Sequence, residues 1–205
     1  LQAALKETPY SNLISRNAEQ VSERMSVFPF EIALDHFFYQ QLLERAEKLH
    51  PADHKITKRF IGVEIDMQNI NWLIRFKDFY NLSLEETLKY IIPQGYNIAM
   101  EKIEQAYNSP NITDILSELI RQKYGALSTF LTSQSSGSYA RLILIERILE
   151  QIMLYEIRHV MAGYPFTIGI ILAYFILKGN EIKKIMTILN AKLYNLSEER
   201  IKACL

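Results

Sequence analysis

Apolar side chains recur along this chain with the spacing of an α-helix. Between residues 56 and 74, six of them alternate steps of four and three, which places all six on one helical face. They are Ile56, Phe60, Val63, Met67, Ile70 and Ile74. No segment alternates apolar and polar residues over a comparable length, which is the pattern expected of a half-buried strand. The pattern therefore predicts an all-α protein.

Proline and capping residues predict where the first helices begin and end. A helix is expected over Pro29–Leu49, because proline is tolerated in a first turn and the His50–Pro51 pair disfavours further helix. Ser83 and Glu86 have the spacing of a capping box, in which each side chain binds a free backbone N–H of the helix start. The next helix is therefore expected to begin near Leu84.

Further breaks divide the middle of the chain. Pro93 and Gly95 interrupt the helical pattern, so residues 96–107 are predicted to form a separate helix. Another short helix is expected after Asn111. The run SQSSGS at residues 133–138 is polar and rich in small residues, and it predicts an exposed loop.

The C-terminal part is predicted to contain two long helices. The first covers residues 139–162 and is stopped by Gly163, and the second has Pro165 in its first turn and ends at Gly179–Asn180. The most apolar run, residues 164–177, is 14 residues long and shorter than the roughly 20 needed to cross a bilayer. We interpret it as a buried core helix.

A short sequence motif occurs twice in the chain and suggests an internal duplication; we call this repeat the sequence echo. The sequence YNLS with two following acids occurs at residues 80–86 and again at residues 194–199, an offset of 114 residues. Tyr10 and Tyr124 show the same offset. The order of the predicted helices agrees with it, so we expect two similar helical modules, at residues 1–112 and 113–205. Stacked modules commonly form binding surfaces.

Composition excludes several classes of protein. Apolar residues make up 49% of the 205 residues, which is too many for a disordered chain. Lys plus Arg and Asp plus Glu both number 23, so no overall field attracts nucleic acid or an anionic membrane. The single cysteine, Cys204, rules out an internal disulfide and a cysteine-based zinc site. Partner choice is expected to depend on local patches.

Metal-binding patterns are incomplete. Glu156 and His159 form a single E-x-x-H, whereas di-iron bundles require two such motifs and two further glutamates. We interpret the pair as an ordinary contact within a helix. Part of a zinc site could be formed by His50, Asp53 and His54. The surrounding polar sequence instead favours a solvated loop.

Patterns for catalysis are equally weak. Glu31 and Asp35 share a helical face, which favours the polar flank of a packing helix over acid–base chemistry. We interpret the aromatic triplet at residues 37–39 as core residues. The alternative is that these side chains anchor a partner. The chain has no glycine-rich phosphate loop and no G-x-S-x-G motif. We therefore predict no catalytic residue, no cofactor and no bound metal.

The segment GVEIDMQNI at residues 62–70, followed by Leu73 and Arg75, resembles the C subunit of archaeal-type and bacterial V-type ATPases. That family is similar to the d subunit of the eukaryotic vacuolar pump. Matching segments, in the same order, are Thr8–Tyr10, Ile92–Gly95, Tyr164–Phe166 and Tyr174–Leu205. The chain departs from the pattern at Gly179 and at residues 121–123.

The resemblance implies a funnel-shaped protein of three helical modules. The two modules predicted here would be the second and the third, and the first third of the family's length would lie outside this sequence. The first residue, Leu1 rather than Met, agrees with that expectation.

The resemblance also implies a function. The chain would be a non-catalytic part of the central stalk, a socket that joins the central axle subunits of the D and F type to the membrane rotor ring. It would lie at the cytoplasmic face of the membrane, held there by protein contacts, and would be monomeric alone. Neighbouring proteins of the complex would carry ATP hydrolysis or synthesis and the transport of protons or sodium ions.

Five polar residues in the matched segments are candidate partner contacts: Asp66, Asn69, Arg75, Lys178 and Glu181. Each also has a purely structural interpretation. Asp66 and Asn69 could form hydrogen bonds between helices, Arg75 could pair with an acid, and the other two could be solvated at a helix junction.

Two other functions are compatible with the helical pattern. A helical-repeat adaptor that binds a partner helix or peptide explains the periodicity and the duplication equally well. It does not explain the ordered resemblance along the chain. An enzyme of the helical metal-bundle class is the third alternative, and stoichiometric iron, manganese or zinc on the purified protein would favour it.

Overall fold

The computed structural model describes residues 7–13, 27–109, 138–199 and 201. In these ranges the regular secondary structure is entirely helical, which confirms the all-α prediction. The helices with both ends in these ranges include α1 (Phe28–Ala46), α2 (Pro51–Asp78), α3 (Leu84–Tyr90), α4 (Met100–Asn108), α5 (Ser138–Met161) and α6 (Ile168–Leu193).

Helix α2 is the centre of the described fold. It packs against α1 on one side and against α5 and α6 on another, and α3 and α4 cover it near its C-terminal half. The predicted stripe, with Val63, Ile70 and Ile74 buried, faces α5 and α6. Trp72 and Phe76 face α1. Because α2 buries both faces, its hydrophobic residues extend beyond the single stripe that the periodicity predicted.

Helix α3 begins at Leu84, as predicted. The Ser83 hydroxyl accepts the Glu86 N–H at 3.2 Å, and the Glu86 carboxylate accepts the Ser83 N–H at 3.1 Å. These reciprocal bonds are a complete capping box, and they satisfy two backbone donors at a point where the helix has no preceding turn.

Helix α6 starts later than the sequence pattern indicated. Pro165 was expected in its first turn, but the helix begins at Ile168, so that prediction is wrong. The Ile168 N–H donates to the Asp53 carboxylate at 2.9 Å. A side chain from the first turn of α2 therefore caps α6, and no local sequence pattern could indicate that. Since α2 begins at Pro51, the solvated-loop interpretation of residues 50–54 is also wrong.

The predicted end of this helix is wrong as well. Gly179–Asn180 was expected to stop it, but α6 continues to Leu193. A glycine inside a helix costs only about 1 kcal/mol relative to alanine. Ala173, which packs in the core with residues of α2 and α5, and Ala191 are both buried, so α6 is held on either side of the glycine.

The apolar run at residues 164–177 is not a buried core helix. Large parts of the side chains of Tyr164, Phe166, Ile171, Tyr174 and Phe175 are exposed. The run is apolar on all helical faces, and such a sequence cannot indicate which face packs. In the part of the chain that the structure describes, no helix is both long and apolar enough to span a membrane.

The two copies of the sequence echo have similar backbone geometry. Asn81 and Asn195 both have positive φ, at 49° and 53°, a conformation that asparagine tolerates better than most residues. In each copy the next residue, Leu82 or Leu196, donates its N–H at 2.9 Å to a carbonyl in the last turn of the preceding helix. The motif thus ends α2 and α6 in a comparable way.

The division into modules at residues 1–112 and 113–205 stays a prediction. Several expectations lie outside the described residues: the helix after Asn111, the loop at residues 133–137, Tyr124, the departure at residues 121–123, Leu1 and Cys204. Ser138, which was expected in the loop, is the first residue of α5.

Candidate interaction surface

The five candidate contact residues lie on two helices and differ in accessibility. Asp66, Asn69 and Arg75 belong to α2, whereas Lys178 and Glu181 belong to α6. The first two are buried, and the other three are exposed. The buried and exposed groups therefore have to be considered separately.

Asp66 is 4% exposed and binds the backbone that precedes α4. Its carboxylate accepts the Asn97 N–H at 2.6 Å and the Ile98 N–H at 3.3 Å. Gly95 lies so close that a Cβ at this position would be 2.1 Å from an Asp66 oxygen. Only glycine leaves room for the carboxylate. This packing explains why α4 begins at Met100 and not at Tyr96, where the sequence pattern placed it.

Asn69 binds the same connecting segment one turn further along α2. Its side-chain amide donates to the Ile92 carbonyl at 2.8 Å, and its side-chain oxygen accepts the Ile92 N–H at 2.9 Å. The residue is 3% exposed. Asp66 and Asn69 together attach residues 92–98 to α2. Their side chains are engaged inside this chain, but with a connecting segment and not with another helix.

Arg75 lies in the last turn of α2 and is exposed. Its Nε donates to the Asn71 side-chain oxygen at 3.0 Å. A cation at this end of a helix also interacts favourably with the helix dipole. The guanidinium group is therefore oriented along the surface of α2 and remains accessible.

Lys178 and Glu181 form an ion pair on the outer surface of α6. Both side chains are about half exposed, so the pair contributes at most about 1 kcal/mol to stability. The expected helix junction at this position is absent, because α6 is continuous. The two residues instead lie in the middle of a long helix.

A groove of about 600 Å³ runs between α2 and α6 and is closed on one side by α5. Glu64 and Asn71 line it from α2, Glu150 from α5, and Gly179 and Lys183 from α6. Asn71 is the acceptor of Arg75, and Gly179 follows Lys178. The exposed candidates Arg75, Lys178 and Glu181 are not among the residues that line it.

The electrostatics of this groove oppose the ionisation of Glu64, a residue that is still partly exposed. The surrounding protein atoms raise the pKa of Glu64, and the positive charge of Lys183 partly opposes that shift. Burial, reinforced by the negative charge of Glu64, also raises the pKa of Tyr39, which lines the same groove. Both shifts oppose the ionisation of the acidic groups on this wall of the groove.

The E-x-x-H motif has a structural partner across the helix interface. Glu156 is buried and accepts from Arg59 of α2, with nitrogen–oxygen distances of 2.7 Å. His159 is exposed on the same helix. Within the described ranges, no three histidine, cysteine, aspartate or glutamate side chains converge as metal ligands would. Glu156 therefore joins α5 to α2.

The side chains of α1 that the sequence singled out have mixed positions. Tyr39 is buried, Phe38 is nearly half exposed, and Phe37 contacts the Tyr10 ring edge-on. Burial raises the pKa of Asp35, with His36 opposing the shift. The interpretation of the aromatic triplet as core residues is thus right for Tyr39 and wrong for Phe38.

The sequence pattern did not identify the outer face of α6 as a surface. Its apolar members, Ile171, Phe175, Ile182, Ile185 and Leu189, are each about half exposed or more. They follow steps of three and four with one lysine among them. That spacing was visible in the sequence. The premature helix end assigned to Gly179–Asn180 divided it.

Comparison with known proteins identifies relatives along almost the whole chain. The model of the ATP synthase (C/AC39) subunit family matches residues 1–204. The C subunit of the A-type ATP synthase of Methanocaldococcus jannaschii is 24% identical and aligns with 98% of this chain and 50% of its own length. The protein of the same name from Thermococcus gammatolerans is 28% identical, with coverages of 97% and 51%.

A third relative, the C subunit of the A-type ATP synthase of Methanosphaera stadtmanae, is 23% identical over 94% of this chain and 49% of its own length. The chain thus spans about half the length of the curated relatives it matches. No solved structure shows significant similarity to it. Because the family model covers residues 1–204, this chain belongs to the ATP synthase (C/AC39) subunit family.

Proposed function

We propose that this chain is a non-catalytic rotor component of an A-type or V-type ATPase and couples the central axle to the membrane rotor ring. The observation that carries the proposal is the family match over residues 1–204. The relatives named as C subunits of A-type ATP synthases support the same complex. In this role the protein lies at the cytoplasmic face of the membrane, attached through other subunits.

A coupling protein has to transmit force without bending, and the packing of α2 suits that task. The helix is 28 residues long and is held on several sides. Two hydrogen-bonding side chains, Asp66 and Asn69, attach the following segment to it, and the Arg59–Glu156 pair joins it to α5. Close-packed interiors have low compressibility, so a displacement at one end passes to neighbouring helices with little loss.

The candidate residues take two different parts in this proposal. Arg75, Lys178 and Glu181 are exposed and would contact the D- or F-type axle subunits or the ring directly. Asp66 and Asn69 would act indirectly, because they hold residues 92–98 in the position from which that segment contributes to the surface. Many moderate contacts of this kind suit a broad mechanical interface.

Co-purification tests the proposal. The full-length protein, tagged and isolated from gently solubilised membranes of its source, is expected to bring the axle and ring subunits with it, identified by mass spectrometry. Arg75→Glu is expected to reduce their recovery severalfold, because a rim charge reversal weakens complementary contacts. Lys48→Glu is the matched control, with the same charge change at an exposed position of the chain.

Two outcomes would contradict the proposal. Clean recovery of the tagged protein without axle and ring subunits, from membranes that contain the assembled ATPase, would favour a helical-repeat adaptor. Stoichiometric metal on the purified protein, together with ATPase-independent activity, would favour an enzyme. Equal loss of partners in Arg75→Glu and Lys48→Glu would show that Arg75 has no particular contact.

A further inference from the structure

The outward face of α6 carries a continuous row of residues that we call the outer stripe. Its members are Ile171, Phe175, Lys178, Ile182, Ile185 and Leu189, with successive steps of 4, 3, 4, 3 and 4 residues. All six are exposed. This is the heptad spacing of a two-helix coiled coil, in which such positions face a partner helix.

The apolar area around the outer stripe is larger than an ordinary protein surface presents. Its five apolar residues, together with Tyr174, Met186 and Leu193, are each 49–74% exposed. At this exposure, eight large side chains present roughly 800–1,000 Å². The largest apolar patch of a typical monomer is about 300–600 Å², and one side of a standard interface buries about 800 Å². The stripe is therefore large enough to be one side of an interface.

The charges on α6 select the kind of partner. Lys178 lies within the outer stripe, where Glu181 of the same helix pairs with it, and Lys192 is exposed near the C-terminal end of α6. Glu181 is the only acidic residue of α6. A lysine at a single core position of a coiled coil determines which helix can pair with it, because it requires a compatible polar group opposite. The complementary helix therefore has acidic residues where this one has lysines.

We propose that the outer stripe binds one amphipathic helix of another protein in coiled-coil fashion, with a carboxylate of that helix opposite Lys178. A second copy of this chain fits poorly, since self-pairing would bring the lysines of two α6 helices together. An anionic membrane surface also fits poorly, because Lys178 would lie at the centre of the inserted face. The inference does not depend on the rotary role, since an adaptor would use the same surface.

Peptide binding to the full 205-residue chain tests this inference directly. The probe is a designed, fluorescently labelled peptide of about four heptads with apolar a and d positions, glutamate at e and g, and one glutamate among the core positions. A second peptide has lysine at each of those glutamate positions. In anisotropy titrations the acidic peptide is expected to bind at least about tenfold more tightly than the basic one, because like charges oppose pairing.

Two variants of the outer stripe and one control variant make the test specific to that stripe. Lys178→Glu is expected to reduce the preference for the acidic peptide about tenfold, whereas Lys48→Glu, with the same charge change on another surface, leaves it unchanged. Ile182→Asp is expected to abolish binding of both peptides. All three residues are exposed, and circular dichroism checks that each variant keeps the helical fold.

Covalent capture distinguishes the possible occupants. With benzoylphenylalanine in place of Ile182, irradiation is expected to give an adduct with the acidic peptide. A cross-linked dimer would overturn the proposal in favour of a second copy, and a product formed only within one chain would show that the protein covers its own stripe. Binding to phosphatidylglycerol vesicles, with no binding to either peptide, would overturn it in favour of a lipid surface.

Discussion

Helices α2 and α6 occupy corresponding places in the sequence echo and differ in their surroundings. They are 28 and 26 residues long, and each ends at the same YNLS motif with an asparagine of positive φ. Among the helices that the structure describes, α2 packs against five neighbours, whereas α6 packs against α2 and α5. Two helices with similar length and similar ends thus have very different shares of buried surface.

The comparison shows that the more apolar helix is not the more buried one. Nine residues of α2 are charged, against five of α6, yet α2 forms the core. Most charges of α2 lie near its ends or are bonded to neighbouring elements, as Arg59 is to Glu156. The apolar residues of α6 occupy its outer face as well as its inner one. Burial was decided by the neighbours of each helix.

The largest difference between α2 and α6 is expected in the loss of stability when a phenylalanine of each helix is replaced by alanine. Phe76 of α2 is 2% exposed, and Phe76→Ala should lower the free energy of unfolding by about 3–5 kcal/mol, because it leaves a cavity. Phe175 of α6 is 67% exposed, and Phe175→Ala should change it by no more than about 0.5 kcal/mol. Urea denaturation of both variants measures the two values. Similar losses would mean that Phe175 is buried in solution, and the contrast between α2 and α6 would fail.

A smaller difference is expected for the glycines inside the two helices. A Cβ on Gly62 would lie 2.8 Å from the Tyr96 Cβ and 3.1 Å from its backbone nitrogen, so Gly62→Ala should destabilise the protein by about 1–3 kcal/mol. A Cβ on Gly179 meets no atom within 4 Å. Gly179→Ala should therefore stabilise the protein by up to about 1 kcal/mol, the difference in helix propensity.

Thermal unfolding of the two alanine variants checks these opposite signs. The side chain and backbone of Tyr96 should change position only in Gly62→Ala. The fluorescence or NMR signals of Tyr96 provide an independent measurement of that change. If Gly179→Ala destabilises the protein, some group approaches α6 closely at this point, and the groove is narrower there than the structure shows.

The smallest expected effect is a pH dependence of protein stability that arises from Glu64 in the groove between α2 and α6. The protein atoms around the partly exposed Glu64 raise its pKa above the ordinary value of 4.5. The folded state therefore holds this proton more tightly than the unfolded state does. The resulting stability is fully present below about pH 4.5 and is lost as the pH rises through the higher folded value. Glu64→Gln should remove that loss and stabilise the protein near neutral pH only.

Urea unfolding of Glu64→Gln and the parent protein between about pH 4 and pH 8 measures this difference. Lys183→Gln is the companion variant, because Lys183 lowers the pKa of Glu64 across the groove. It should deepen the loss of stability at neutral pH. A pH-independent difference between Glu64→Gln and the parent protein would show that the groove does not shift the pKa of Glu64.

The sequence predicted much of the fold because its signals are local. The helical class follows from the spacing of apolar residues, and the start of α3 follows from Ser83 and Glu86, which bind each other's backbone. The start of α6 was predicted wrongly because its cap, Asp53, is 115 residues away in the sequence. The start of α4 was predicted wrongly because Asp66 binds the backbone of residues 97 and 98, which lie in a non-helical segment.

For the candidate site residues, too, local properties could be predicted from the sequence and long-range contacts could not. The chemical types of Asp66, Asn69, Arg75, Lys178 and Glu181 were evident in the sequence, but their exposure was not. Asp66 and Asn69 are buried because residues 92–98 fold back onto α2, a contact between segments that are 23 to 32 residues apart.

The sequence by itself determined the helical class, the capping box and the family resemblance, because each depends on residues within a few turns of one another or on an ordered set of motifs. Only the tertiary structure decided which helix is central and which apolar face is covered. Hydrophobic periodicity specifies that a face can be buried, but a neighbouring helix has to be present to bury it. For α2 the chain supplies neighbours on several sides, and for the outer stripe of α6 the described residues supply none.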